Sequence, residues 1–303
     1  MRKNHMEESG RQGIPASPEL LSPAGNFAIA RAAFAAGADA VYCGLKDFSA
    51  RAFADNFSFD ELRDLLRVAH AQGKKVYVTF NTVLDEADVE RAVRTLARLD
   101  DLRPDALIVQ DLGVARLCQR HFPELALHAS TQLVAHNLEG VLAMRELGFS
   151  RVVLARELSL AEIESIVHRC GVEIEVFIHG ALCYSVSGLC LFSAMENGRS
   201  GNRGQCAYCC RQDFSCEPLS TSRESRIHPF SMKDLRLGGD VAKLAAVGVA
   251  SLKIEGRMKS ETYVASVTRY YRQLLGCAGR SGEDLDVTIP RDGLFAAYDE
   301  ALF

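Results

Sequence analysis

The sequence lacks any long uninterrupted run of apolar residues and any apolar segment at its N-terminus. Its most apolar stretch, residues 28–45, is broken by Arg31, Gly37 and Asp39. No segment therefore reaches the roughly 18 apolar residues that a membrane-spanning helix requires. Residues 1–17 are polar and do not resemble a signal peptide, so we expect a disordered leader, no membrane span and a cytoplasmic location.

Several motifs of nucleotide-binding and hydrolytic enzymes are also missing. No Gly-x-Gly-x-x-Gly follows the first predicted strand and no Walker-type loop occurs, so a dinucleotide or nucleoside-triphosphate fold has no supporting motif. The chain likewise contains no Gly-x-Ser-x-Gly elbow and no His-Glu-x-x-His. A net charge of −4 argues against non-specific coating of nucleic acid, which needs a basic face, but it allows a local basic patch.

The chain does contain a repeated order of amphipathic helix, glycine and short apolar strand. Glycine suits the left-handed position that ends a helix before a strand. The predicted helices include 29–36, 62–71, 138–147 and 241–247. The predicted strands are 20–21, 40–43, 76–80, 106–109, 126–128, 152–154, 174–178, 228–231 and 251–254.

Short strands separated by helices predict parallel pairing through right-handed crossovers. About eight such units in roughly 250 residues predict a (β/α) TIM-type barrel, here over residues 18–278, with an open doubly wound sheet as the alternative. A long Cys-rich loop, residues 183–226, follows the seventh strand region. Residues 279–303 predict a linker and the start of a C-terminal segment that ends abruptly, as in a truncated chain.

The cysteines of this loop are spaced C-x6-C-x15-C-x2-C-C, at Cys183, Cys190, Cys206, Cys209 and Cys210. Glycine-rich turns allow four of these sulfurs to converge on one point. Without an export signal the compartment is reducing, so the thiols indicate a metal centre rather than disulfides. Zinc ribbons usually have two tight cysteine pairs and this loop has one, so we expect an iron–sulfur cluster, with zinc as the alternative. On spacing alone, Cys209 and Cys210 both remain candidates for the fourth ligand.

Polar residues follow several predicted strands, and the carboxyl ends of barrel strands form the active site in this type of fold. The candidate catalytic residues are His179, Glu255 and Arg257. A histidine can exchange protons near neutral pH, although His179 could equally be a core histidine or donate to a cluster sulfur. Arginine makes paired hydrogen bonds to carboxylate or phosphate, which suggests an anionic substrate group. The candidate substrate-binding residues are Asn81, Gln110, Thr131, Gln132, Arg156, Glu157 and Lys259.

Three arginines, Arg199, Arg203 and Arg211, surround the cysteines. They could contact RNA while Tyr184 and Tyr208 stack on an extruded base. The alternative is that these arginines offset the negative charge of a thiolate-bound cluster.

Several long motifs resemble one known family, the U-32 or collagenase-like peptidases. The resemblance extends over residues 19–271. It is carried by Glu175–Cys183 with Ser187, Gly188 and Cys190, by Gly201–Cys206, by Ser251–Ser260, and by residues 22–25 and 37–42.

The resemblance implies an iron–sulfur enzyme of oxygen-independent hydroxylation, acting on tRNA wobble uridine, rRNA cytidine or a ubiquinone precursor. It implies a 4Fe-4S cluster on Cys183, Cys190, Cys206 and Cys210, because Arg236 stands where some members have a later fourth cysteine. RNA-acting members are linked to prephenate as hydroxyl source. We therefore expect an RNA-base hydroxylase whose partners are structured RNA or a small molecule, with room for a homologous partner subunit. A collagenase-like peptidase and a zinc-stabilised, non-catalytic scaffold are the alternatives.

Overall fold

Eight parallel strands close into a barrel in the computed structural model, which describes residues 17–215 and 226–277. Each strand pairs with the next along the chain, and the last strand pairs with both the first and the seventh, which closes the ring. The barrel strands are β1 (Glu19–Pro23), β2 (Ala40–Gly44), β3 (Lys75–Phe80), β4 (Ala106–Val109), β5 (Leu127–Ala129), β6 (Arg151–Val153), β7 (Glu173–Gly180) and β11 (Ser251–Ile254). The predicted TIM-type barrel, with the Cys-rich loop after the seventh strand, is confirmed.

Helices connect consecutive barrel strands, a further helix follows the last strand, and a short helix lies within the Cys-rich loop. They are α1 (Phe27–Ala35), α2 (Phe59–His70), α3 (Val89–Leu102), α4 (Leu112–His121), α5 (Leu138–Glu146), α6 (Leu160–Cys170), α7 (Phe192–Asn197), α8 (Val241–Val247) and α9 (Glu261–Cys277). Polar side chains begin several of them. Ser58 and Glu61 form a reciprocal cap on α2, and Ser159 and Glu162 do the same on α6.

Three short strands lie outside the ring. Strands β8 (Phe214–Ser215) and β9 (Arg226–Ile227) pair with each other in antiparallel fashion, and β10 (Leu235–Arg236) pairs antiparallel with the end of β7. The predicted strand at 228–231 is wrong, because residues 228–231 form a turn and the adjacent residues Arg226–Ile227 make the pairing. The Cys-rich loop also contains a helix, α7, which is too short to show helical periodicity in the sequence and ends at Gly198 with φ 63°.

The core has two parts, because strand residues alternate between the helices and the barrel interior. Outward residues pack against the helices in one continuous cluster. A smaller apolar layer fills the interior, made by Leu21, Ala40, Tyr42, Tyr77, Ala106 and Ile108. The rest of the interior is charged, which a barrel tolerates when each charge has a partner.

Arg151 holds the charged layer at the N-terminal end of the barrel. Its guanidinium lies 2.6 Å from Glu19 and 3.3 Å from Glu175, and Lys253 lies 2.7 Å from the other oxygen of Glu175. Burial alone would raise the pKa of Glu19, but the charge of Arg151 outweighs it and leaves that pKa lowered. These ion pairs tie β1, β6, β7 and β11 together across the lumen.

Among the described residues, no helix is both long and apolar enough to cross a membrane. The predicted leader at 1–17 lies outside the described residues except for its last residue, and the predicted segment 279–303 lies wholly outside them. Those two domain predictions therefore stay predictions.

Candidate active site

The mouth of the barrel, where the strands end, brings Glu255 together with three arginines. The Glu255 carboxylate lies 3.2 Å from Arg51 and 3.8 Å from Arg156, and the Tyr42 hydroxyl donates to it at 3.3 Å. Burial would raise the pKa of Glu255, but the charges of Arg51, Arg156 and Arg257 lower it to about 2. A carboxylate with so low a pKa is a poor proton acceptor near neutral pH, so its chemistry here is to organise the arginines.

Arg156 and Arg51 keep donors available at this mouth. Arg156 donates to the carbonyl of Ala181 at 2.8 Å and lies 3.9 Å above the ring of Phe177, which fixes its plane. Its side chain is 13 % exposed and that of Arg51 is 29 % exposed, so both can meet a ligand. Together they offer an anion two guanidinium groups that one carboxylate only partly neutralises.

Arg257, predicted to be catalytic, is buried beneath this layer. Its Nη1 donates to Ser49 at 2.7 Å and to Thr79 at 2.8 Å, and its Nε has no hydrogen-bond partner among the described residues. A Cβ on Gly44 would lie 3.0 Å from that Nη1, so the glycine gives the guanidinium its space. The contacts of Arg257 join β2, β3 and the loop that follows β2.

His179 does not join the mouth. It is 1 % exposed, its Nδ1 lies 3.1 Å from the Tyr271 hydroxyl, and its ring packs against Tyr263 of α9. Burial, together with the charges of Arg236 and Lys259, lowers its pKa to about 4, so the imidazole is neutral. The imidazole of His179 therefore lies against α9, although its backbone carbonyl accepts from the backbone nitrogen of Glu255 at 2.9 Å.

A register shift between β7 and β11 explains the position of His179. Lys253 pairs with Phe177, but the next residue, Ile254, pairs with His179, so one residue of β7 is skipped. Such an irregularity reverses which face of a strand the following side chain takes. His179 therefore shares the outward direction of Ile254, which belongs to the core between barrel and helices.

Uncharged carboxamides line the opposite side of the mouth. Asn81, just after β3, accepts from the backbone of Ala50 at 3.0 Å and donates to Gln132 at 3.1 Å. Gln110, just after β4, is 5 % exposed, and its Oε1 is buried without a hydrogen-bond partner among the described residues. Alternation from Ile108, an interior residue, directs Gln110 into the lumen.

The other predicted substrate-binding residues have structural contacts of their own. Thr131 donates to the carbonyl of Leu154 at 3.0 Å. Glu157 accepts from both the backbone nitrogen and the hydroxyl of Ser187 at 2.8 Å, which fastens the Cys-rich loop to the end of β6. Lys259 lies with its ammonium 5.3 Å from the ring of Tyr263, on the same side as His179.

The Cys-rich loop is fastened across the mouth at a second place by the segment Gly201–Cys206. Arg203 forms ion pairs with Asp85 at 2.6 Å and with Asp88 at 2.8 Å, in the loop that follows β3. Gly204, with φ +83°, lies so close to Ser49 that a Cβ would be 2.3 Å from its carbonyl oxygen. The loop therefore lies against the barrel along the rims of β2, β3 and β6.

Two cysteines of this loop lie near arginines of the mouth, Cys183 near Arg156 and Cys206 near Arg51. The pKa of Cys210 is raised by burial and by the charges of Cys183, Cys206 and Cys190, so these thiols lie within electrostatic range of one another. Burial lowers the pKa of Arg156, and the charge of Cys183 opposes that effect. Glu255 raises the pKa of Arg51, and the charge of Cys206 adds to that effect.

Backbone nitrogens already point at two of the four thiols. Phe192 donates to Cys190 at 3.3 Å and Tyr208 donates to Cys206 at 3.4 Å, as expected for sulfurs that carry negative charge. Cys209, by contrast, is 4 % exposed and accepts from the side chain of Asn197 at 3.0 Å. Cys210 is only partly buried, so it is the more accessible of the two, and its assignment as the fourth ligand stays a prediction.

No group of three or more His, Cys, Asp or Glu side chains in residues 17–215 and 226–277 is already arranged around a single metal ion. A lone zinc ion needs its thiolates close together, since each Zn–S bond is about 2.3 Å. A four-iron cluster places iron and sulfide between its ligands and so accepts thiols that stand further apart. Thiolates with nearby N–H donors suit either group, so the choice between a cluster and a zinc ion stays a prediction.

Sequence reasoning missed Arg51, and it did not foresee the structural contacts of two arginines in the loop. Arg51 lies in the loop after β2, with no strand-end signal, and reaches Glu255 only because the barrel closes. Arg203 is held by two aspartates, and Arg211 donates to Leu182 at 2.8 Å and to Ser231 at 2.8 Å. Arg203 and Arg211 therefore hold the loop in place.

The chain has clear relatives. A profile described as peptidase family U32 matches residues 25–289. The chain is 42 % identical over 262 residues to a 23S rRNA 5-hydroxycytidine synthase of Escherichia coli, which covers 85 % of this chain and 39 % of that protein. It is 36 % identical over 318 residues to tRNA hydroxylation protein P1 of Bacillus subtilis, which covers 97 % of this chain and 75 % of that protein. The chain thus spans less than half the length of the first of these relatives.

A solved structure of a U32 peptidase has the same fold. It matches with a TM-score of 0.55 at 14 % identity, covering 82 % of this chain and 95 % of that one. At this identity the likeness concerns the barrel alone.

Proposed function

Because this chain belongs to peptidase family U32, we propose that it is an RNA-modifying enzyme that hydroxylates a pyrimidine base without oxygen. Two relatives, at 42 % and 36 % identity, are named for hydroxylation of rRNA and tRNA. The base is a tRNA wobble uridine or an rRNA cytidine. The observation that supports the proposal is that the Cys-rich loop is fastened, through Glu157 and Arg203, to the mouth that holds Arg51, Arg156 and Glu255.

Three groups of residues at this mouth would bind an anion, exclude water and hydrogen-bond to the base. Arg51 and Arg156 bind an anionic group, and Glu255 holds both guanidiniums in place. The Cys-rich loop, fastened by Glu157 and Arg203, covers the mouth and limits the access of water. Carboxamides on the far side offer neutral hydrogen-bond donors and acceptors to the base.

The reaction exchanges a hydrogen on the base carbon for the hydroxyl of a donor. The donor R–OH leaves as R–H, so the two electrons that the base carbon loses are gained by the donor. Prephenate, a dicarboxylate that bears a hydroxyl, is the donor we propose, since the two arginines at the mouth suit a carboxylate.

We propose that Cys183, Cys190, Cys206 and Cys210 hold a 4Fe-4S cluster. Bound by four thiolates, such a cluster would supply one-electron transfer. The arginines beside these thiols offset their negative charge, and the backbone N–H groups of Phe192 and Tyr208 stabilise the thiolates.

Nucleoside mass spectrometry of tRNA and rRNA tests the function. A strain that lacks the gene should lose one hydroxylated pyrimidine, and the wild-type chain should restore it. The Cys190→Ser variant should not restore it, whereas Cys118→Ser, a buried cysteine of α4, should. Unchanged RNA nucleosides in the deletion strain would refute the function.

Anaerobic purification with iron and sulfide analysis tests the cofactor separately. Four irons with four sulfides are expected; stoichiometric zinc with no cluster absorbance would instead support a scaffold. Peptidase activity has no support in the described residues, where no histidine hydrogen-bonds to a cysteine and His179 is buried against α9. Cleavage of peptides by the metal-replete protein that survives Cys183→Ala would favour a different, non-thiol peptidase site.

A further inference from the structure

We propose that Gln110 and Gln132 bind the Watson–Crick edge of the target pyrimidine, which turns its C5 edge toward the arginines and cysteines. This inference rests on the proposed function and names how the base is read. It starts from one buried hydrogen-bond acceptor, the side-chain oxygen of Gln110. The Oε1 of Gln110 is buried and no described residue donates to it.

A buried polar atom without a partner is costly, about 1–3 kcal/mol, unless a ligand or water supplies one. Gln110 is 5 % exposed and directly follows β4, on the same face of the strand as the interior residue Ile108. The unpaired oxygen therefore indicates a place where a ligand's donor belongs.

Gln132 supplies the complementary donor. Its Oε1 accepts from Asn81 at 3.1 Å, and Asn81 is itself oriented by the backbone N–H of Ala50 at 3.0 Å. This chain fixes the orientation of the Gln132 amide, so that its Nε2 is the end left to donate. No described residue accepts from that nitrogen. Asn81 is thus a positioning residue for Gln132.

The pair matches a pyrimidine edge. Cytosine presents an amine beside the acceptors N3 and O2, and uracil presents an N3–H between two carbonyls. Each edge has both a donor and an acceptor, as an acceptor on Gln110 and a donor on Gln132 require. A charged side chain would match only the donor or only the acceptor of such an edge. The charged residues of this mouth, Arg51, Arg156 and Glu255, follow other strands.

Barrel geometry then sets the direction of the reacting carbon. Strands β4 and β11 are four strands apart in either direction around the ring of eight, so Gln110 and Glu255 face each other across the lumen. In a pyrimidine, C5 lies across the ring from C2 and away from N3. A base held by Gln110 and Gln132 therefore directs C5 toward Arg51, Arg156 and the thiols.

Substitutions at Gln110 test the inference. Gln110→Ala should lower kcat/KM for the RNA about ten- to a hundredfold. Gln110→Glu keeps the shape and the acceptor but adds a negative charge, which suits the amine of cytosine and is repelled by the two carbonyls that flank N3–H of uracil. It should therefore act on RNA with cytidine at the target position and lose activity on the same RNA with uridine there. The matched control is Gln72→Glu, the same change at an exposed position at the other end of the barrel.

The outcomes separate this inference from the proposed function. Iron content and the unfolding midpoint of each variant show whether folding or cluster loading has changed, and if Gln110→Ala fails to fold, Gln110→Glu carries the test. A wild-type chain that modifies no RNA refutes the proposed function. A wild-type chain that is active, with Gln110 variants that match Gln72→Glu or treat cytidine and uridine alike, refutes this inference alone.

Discussion

Replacing Glu255 by glutamine should destabilise the protein by about 3 kcal/mol at neutral pH. In the folded state its pKa is lowered from 4.5 to about 2 by Arg51, Arg156 and Arg257, against the opposing effect of burial. Each unit of difference in pKa between the unfolded and folded states corresponds to about 1.4 kcal/mol, which gives about 3 kcal/mol in total. The side chain is 12 % exposed, so solvent screens the effect little.

The sign of the pH dependence follows from the lowered pKa. The stabilisation by Glu255 is fully present above the unfolded pKa of 4.5 and is lost as pH falls toward about 2. The difference between wild type and Glu255→Gln should therefore be largest at neutral pH and shrink below pH 4.5.

Urea unfolding of both proteins at pH 7 and near pH 3.5 measures this difference. The control is Glu173→Gln, whose carboxylate is also paired with an arginine but is 52 % exposed, so it should cost no more than about 1 kcal/mol. Equal stabilities of wild type and Glu255→Gln at pH 7, or a gap that does not change with pH, would refute the electrostatic account of this mouth.

Three further predictions concern the Cys-rich loop. Cys210→Ser should lower the iron content of anaerobically purified protein by at least half and Cys209→Ser should not, because Cys209 is held by Asn197; equal losses would contradict the ligand assignment. Arg203→Ala should speed proteolytic cleavage of the loop severalfold without moving the unfolding midpoint of the barrel by more than a few degrees, since it removes ion pairs to Asp85 and Asp88. Gly204→Ala should destabilise the loop more than Arg203→Ala in the same assay, because its Cβ would meet the Ser49 carbonyl at 2.3 Å and its φ is +83°.

The barrel could be predicted because local signals repeat along the chain. Strand β3 is a short apolar run after a helix and a glycine, and β4 is a short apolar run after a helix. The structure has them at 75–80 and 106–109, where 76–80 and 106–109 were predicted. Helix α8 begins and ends as predicted, at Val241 and Val247, because Gly248 takes a left-handed conformation with φ 93°.

The candidate site was harder to predict, because it depends on pairs that are distant in sequence. Arg51 and Glu255 are 204 residues apart and meet only when β11 pairs with β1. His179 was a candidate because it follows a predicted strand, but the skipped residue in β7 turns its imidazole toward α9. Glu157 follows its strand as expected, but it accepts a hydrogen bond from Ser187 of the Cys-rich loop. The sequence alone does not show where Ser187 lies, so this contact could not be predicted.

The two ends of the barrel differ in their balance of positive and negative charge. Arg51, Arg156 and Arg257 set three positive charges against the single carboxylate of Glu255, while the opposite end pairs Arg151 with several carboxylates. Helices of such a barrel also begin at the mouth, which adds the positive ends of their dipoles. A protein with a net charge of −4 can therefore attract a polyanion at one pole while its remaining surface repels it. RNA should then approach the protein with the mouth of the barrel facing it. The association rate should fall as added salt screens the attraction between the mouth and the phosphates.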